Sequence, residues 1–174
     1  WLFFESNAPM TAVYEGEEAP NGESIAAAGY DANNGVVYAL ENSGKLYRYS
    51  GINPQSGKLT GRTQVATVAG ADSINEMAFN NADGQLYAIS GAANLMTVDV
   101  NTGAVTEIGQ FGSGVVAMDF DSNGTLWIVD LYGALCSVNL NTGAITQVAE
   151  TGISALSGQN FYNQSICLFE NTYY

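Results

Sequence analysis

Short apolar runs separated by turn-forming residues recur along this chain. Residues 74–109, INEMAFNNADGQLYAISGAANLMTVDVNTGAVTEIG, hold four such runs, divided by Asn-Asn-Ala-Asp-Gly, Gly-Ala-Ala-Asn and Asn-Thr-Gly. The pattern predicts strands over Ile74–Phe79, Gln85–Ser90, Leu95–Val100 and Ala104–Ile108. Val, Ile, Thr and Tyr are frequent in them, and no window of about 10–15 residues carries apolar positions at helical spacing. Residues 115–149, VVAMDFDSNGTLWIVDLYGALCSVNLNTGAITQVA, repeat the pattern, with Gly84 matching Gly124, Leu95 matching Leu135 and Gly103 matching Gly143. The common offset is about forty residues. A looser copy runs from Ile25 to about Val68, where Ala28, Tyr30, Gly35 and Leu46 stand in place of Met77, Phe79, Gly84 and Leu95. Asp-Gly, Asn-Gly and Asn-Thr-Gly supply the positive-φ positions that tight hairpins require.

A four-stranded antiparallel meander repeated at about forty residues is the pattern of β-propeller blades, each of which buries its faces against its neighbours. A β-sandwich predicts no such repeat. The expected fold is therefore all-β: a single β-propeller-like domain over 1–174 with about four four-stranded blades, and repeats at about 25–70, 74–110 and 115–150. The remainder reads as two half-blades, 1–20 and 152–174. In the tail, Ile153 and Leu156 repeat the spacing of Ile74 and Met77, and Ser165–Glu170 suits a second strand. The head offers an apolar strand, a turn over Ser6–Pro9 and a second strand ending near Glu15. Together they make one blade, assembled within one molecule or between two; the second case gives a head-to-tail filament or surface array.

The segments MAFNNADGQLYAIS, MDFDSNGTLWIVD, LMTVDVNTGAVTEIG and LCSVNLNTGAITQVA resemble bacterial secreted and cell-envelope β-propeller repeats of the broad YVTN/NHL-like type. The resemblance covers residues 25–150 and extends to the ends by extrapolation. It implies the architecture and a role in adhesion, scaffolding or ligand binding, and it brings no shared catalytic residues. The chain departs from the usual larger rings of this type in having material for only about four blades.

Hydrophobic residues make up 47% of the chain and charged ones 12%, so Asn, Ser, Thr, Gln and Gly must carry its solubility. Seventeen acidic residues against four basic ones give a net charge of −13, which argues against nucleic acid or an anionic membrane surface as partner. The four cations, Lys45, Arg48, Lys58 and Arg62, leave one edge relatively basic on an acidic body, an arrangement that can steer head-to-tail association. No apolar run approaches the roughly 20 residues of a membrane-spanning helix. The composition and a start at Trp1 lead to the expectation of a processed mature protein or an excised domain, extracellular or on the cell surface, whose aromatic ends are packed or paired.

With no histidine, Ser-His-Asp and Cys-His catalysis and histidine-ligated zinc are excluded. A two-carboxylate glycosidase could draw on Glu41 and Asp130, which share a position after second strands with Ser90 between them in the series; acidic residues there are more simply turn formers. Asp119-Phe-Asp121-Ser-Asn123-Gly124 matches the first half of a calcium loop with Asp130 at its twelfth position. A strand over Leu126–Val129 would carry Asp130 away, so a plain turn is expected, as at Asp31–Gly35 and Asn80–Gly84. Tyr38, Tyr87 and Trp127 occupy equivalent positions, either a sugar-stacking ladder or, as repetition favours, a column between blades. Cys136 and Cys167 form one disulfide or remain two buried thiols. No catalytic, cofactor-binding or metal-binding residue is assigned, and no cofactor is expected. The reading is a non-catalytic extracellular structural or interaction module whose partner is another copy of itself or other cell-surface proteins and glycans. The alternatives are a glycan- or peptide-binding propeller and a carboxylate-dependent enzyme.

Overall fold

A computed structural model describes residues 25–53, 59–151, 168–169 and 172–173. Twelve of its strands form three four-stranded antiparallel sheets. Blade one contains β1 (Ile25–Asp31), β2 (Val36–Glu41), β3 (Lys45–Tyr49) and β6 (Thr63–Thr67), with a small hairpin, β4 (Gly51–Ile52) and β5 (Leu59–Thr60), set between its last two strands. Blade two is β7 (Ile74–Asn80), β8 (Gln85–Ser90), β9 (Asn94–Val98) and β10 (Val105–Gln110). Blade three is β11 (Val115–Phe120), β12 (Leu126–Asp130), β13 (Ala134–Val138) and β14 (Ile145–Glu150). A two-stranded ladder, β15 (Leu168–Phe169) with β16 (Thr172–Tyr173), lies further along the chain. The described residues contain no α-helix, only a 3-10 turn at Ala71–Ser73. The half-blade expected over 1–20 lies outside the described residues, as does that over 152–174 apart from β15 and β16.

The first strands of the three blades, β1, β7 and β11, lie side by side, and the sheets stack face to face. Between blades one and two, Val36, Tyr38, Leu40 and Leu46 meet Met77, Phe79, Leu86, Ala88, Met96 and Val98. Between blades two and three, Tyr87, Ile89 and Leu95 meet Met118, Phe120, Leu126, Ile128, Cys136 and Val138. Leu40, Leu46, Leu95, Leu126 and Ile128 are fully buried, and each contributes about 1.5–3 kcal/mol by leaving water. Alternation along the strands of blade two thus sends one set of side chains to the blade before and the other to the blade after.

Two devices recur at the seams. Every last strand carries a bulge: Val65, Ile108 and Val148 are the extra residues beside Leu46/Tyr47, Leu95/Met96 and Leu135/Cys136. A bulge re-aims its side chain, and here it turns Val65 onto the first core and Ile108 onto the second. In blades two and three the turn before the last strand also touches the preceding blade: Gly103 lies against Thr67, and Gly143 against Gly109.

Strand limits differ from the sequence pattern at β9 and β10, which run over Asn94–Val98 and Val105–Gln110. Asp99 Oδ1 accepts hydrogen bonds from the backbone N–H of Asn101 (2.8 Å) and Thr102 (2.9 Å), closing the turn early and ending β9 at Val98.

Glu76 breaks the apolar pattern of the inner strands. It lies opposite Ile89 just past a bulge, where blades one and three have Ala27 and Ala117. Burial pushes its carboxyl up to about 7. The folded pKa exceeds the unfolded one, so Glu76 is neutral in both states at pH 4 and destabilises the fold increasingly as pH rises from about 4.5 to 7. Glu76→Gln is expected to leave stability at pH 4 nearly unchanged and to raise it at pH 8 by roughly 2 kcal/mol, below the full linkage value because the half-buried carboxylate keeps some solvent. Urea unfolding at the two pH values checks this; an equal effect at both would rule out the burial account.

Candidate functional site

The residues singled out for chemistry lie at hairpin ends, and their carboxylates are engaged in building those turns. Asp121 Oδ1 accepts from Asn123 N and Thr125 N, both at 2.9 Å, and Oδ2 accepts from Trp127 Nε1 at 3.1 Å. Burial works against its charge, yet these donors hold Asp121 below the usual carboxylate range. Asp119, half-buried on β11, accepts from Phe120 N, while Asn123 gives its backbone N–H to the Asp121 turn. Asp130 sits at the far end of β12, where Oδ1 accepts from Tyr132 N (2.8 Å) and Ala134 N (2.9 Å). The β12 strand therefore separates Asp130 from the Asp121 turn. Among the described residues no group of three or more Cys, Asp or Glu side chains is placed to hold a metal ion.

Ser90 repeats the role of Asp130 in blade two, its Oγ accepting from Asn94 N. Glu41, at the same position in blade one, is fully buried. Its Oε1 pairs with the guanidinium of Arg62, and Ser43 Oγ donates to Oε2 at 3.2 Å. The Arg62 guanidinium carbon lies 3.6 Å from the centre of the Tyr47 ring. Glu41 and Asp130 thus lie in blades one and three, each in its own local network.

The aromatic column is a packing device. Tyr38 stacks on Phe79 (centroids 5.8 Å apart, 17° between planes), and Tyr87 meets Phe120 at 5.0 Å and 55°. Tyr38 and Tyr87 therefore each contact the first-strand aromatic of the next blade, and the blade that would follow Trp127 lies outside the described residues. Tyr87 also donates to Asp83 Oδ2 at 2.9 Å, and burial together with this carboxylate pushes its hydroxyl up to about 12. Cys136 is a buried free thiol, raised by burial and by Asp130 and Glu150; Cys167 lies outside the described residues.

Sequence reasoning missed a latch between the first two blades. Asn81 Oδ1 accepts from Ala32 N (2.7 Å), and Asn33 Nδ2 donates to the Asn81 carbonyl (2.8 Å). The signal was an Asn-Asn pair in one turn, where blade three is a residue shorter.

These observations define a propeller-like repeat of three described four-stranded blades. A family model described as a domain of unknown function, DUF4394, matches residues 53–126, from the blade-one insertion to the start of β12. No curated protein sequence matches the chain. A structural genomics protein of unknown function from Bacteroides thetaiotaomicron is similar in structure at 15% identity and a TM-score of 0.62, over 87% of this chain and 44% of that one. A chain of a nidogen/laminin complex is similar at 14% identity and a TM-score of 0.57, over 76% of this chain and 50% of that one. BamB from Moraxella catarrhalis is similar at 19% identity and a TM-score of 0.50, over 84% of this chain and 43% of that one. At these identities the likeness shows the fold. The chain spans half or less of the length of each of these structures.

Proposed function

We propose that this protein is a non-catalytic interaction module that works outside the cell and assembles with copies of itself. The observation that carries the reading is the use of Asp121, Asp130 and Ser90: each satisfies the backbone of its own turn. Residues committed to turn geometry build a scaffold, and catalysis needs acids converging on one cleft. The likeness to a chain of a nidogen/laminin complex supports a protein partner as the class of ligand. A glycan or peptide bound by the turns at one end of the blades is the second reading; the exposed ring of Tyr132 in the β12–β13 turn favours it.

Sedimentation over a range of concentrations tests the first reading. A self-associating species is expected. A strict monomer that binds saturably on a glycan array would move the assignment to the second reading.

A further inference from the structure

Each seam between blades is built from the same set of positions, and the two outermost flanks each show part of that set exposed. On the giving side, the bulged residues Val65 and Ile108 pack onto the following blade, whereas Val148 is 56% exposed. On the receiving side, Ile74 and Phe79 are buried in the first core, and Val115 and Phe120 pack in the second. The equivalent residues of blade one, Ile25 and Tyr30, are 44% and 50% exposed. The described blades thus display one giving flank and one receiving flank, which are complementary to each other.

Charge follows the same division. Residues 25–67 carry all four cations, Lys45, Arg48, Lys58 and Arg62, against two acids, Asp31 and Glu41. Residues 115–150 carry four acids, Asp119, Asp121, Asp130 and Glu150, and no cation. Between the described blades alone, opposite net charges favour blade one meeting blade three while like flanks repel; the five glutamates of residues 1–24 lie outside this comparison.

We propose that blade three of one molecule docks against blade one of the next copy, with Val148 on one side of the seam and Ile25 and Tyr30 on the other. This rests on the self-assembly reading above and deepens it by naming the two surfaces. The contact is heterologous: two copies close into a ring if both seams form, and an open array results if they do not.

The test uses the full chain and the variants Val148→Asp and Tyr30→Asp, with Val148→Ser and Tyr30→Ser as milder forms and Val105→Asp as a control on the exposed outer strand of blade two. Each is measured by sedimentation and light scattering after its circular dichroism has matched that of the wild type. Both seam variants are expected to weaken self-association at least tenfold, and Val105→Asp to leave it unchanged. Raising salt from about 0.05 to 0.5 M is expected to weaken the wild-type assembly. Mixing Val148→Asp with Tyr30→Asp is the sharpest arm, because each retains the flank the other has lost; a one-to-one heterodimer that grows no further is expected. Seam variants that assemble like the wild type would overturn this seam and leave self-assembly standing. A wild-type chain that stays monomeric, closed on itself, would remove both.

Discussion

Gly103→Ala is expected to lower stability by about 3 kcal/mol or more, while Gly84→Ala costs roughly 1–2 kcal/mol. The two glycines have nearly the same backbone, φ +74° and +76°, so the left-handed penalty of a side chain is common to both. Their surroundings differ. A Cβ on Gly84 meets nothing within 4 Å, whereas one on Gly103 would sit 2.3 Å from the Thr67 carbonyl oxygen and 2.8 Å from its carbon. Those atoms are backbone of the neighbouring blade and cannot rotate away, so the blades themselves must separate. Urea unfolding of both variants measures the difference, and similar losses would show that the seam is looser than the packing indicates.

Arg62→Met is the second large effect, expected to cost about 3 kcal/mol. Glu41 is wholly enclosed, and the Arg62 side chain, 20% exposed, supplies its counter-charge. Removing the guanidinium leaves a carboxylate inside the protein with Ser43 donating to one oxygen, and it also removes the cation from the Tyr47 ring. The desolvation of the remaining charge dominates, so neutralising it as well should recover most of the loss. The double variant Glu41→Gln/Arg62→Met is therefore expected to be more stable than Arg62→Met alone. A double-mutant cycle by thermal unfolding reads the coupling, and strict additivity would contradict the pairing.

The repeat made the blades legible because the β1–β2, β7–β8 and β11–β12 turns each need a residue at positive φ, and Gly35, Gly84 and Gly124 mark them in the chain. Where a turn requirement is met without glycine the signal fades: Ala93, at φ 61°, stands where blades one and three have Gly44 and Gly133. The Glu41–Arg62 pair was hidden for another reason. Arg62 follows an insertion found in blade one alone among the described blades, so the other copies offer no counterpart to compare. The bulges escaped too, because one extra residue reverses the in-out alternation of a last strand and leaves no mark in the composition of the repeat. Reading Asp121 and Asp130 as turn formers needed only their place after strands. That Asp121 also orients the Trp127 ring needed the structure.

Blade two lies between two described cores, while blades one and three each border one. In a chain of nearest-neighbour contacts this gradient fixes the order in which the protein comes apart. Opening an outer blade gives up one set of contacts, and opening the central blade gives up two. The amides of β8 should therefore be the last to exchange with deuterium, at a rate set by global unfolding. Those of β14 should exchange early, through fluctuations that leave the centre intact. The protein would then denature from its flanks inward, and any partner seated on a flank would act first as a brake on fraying.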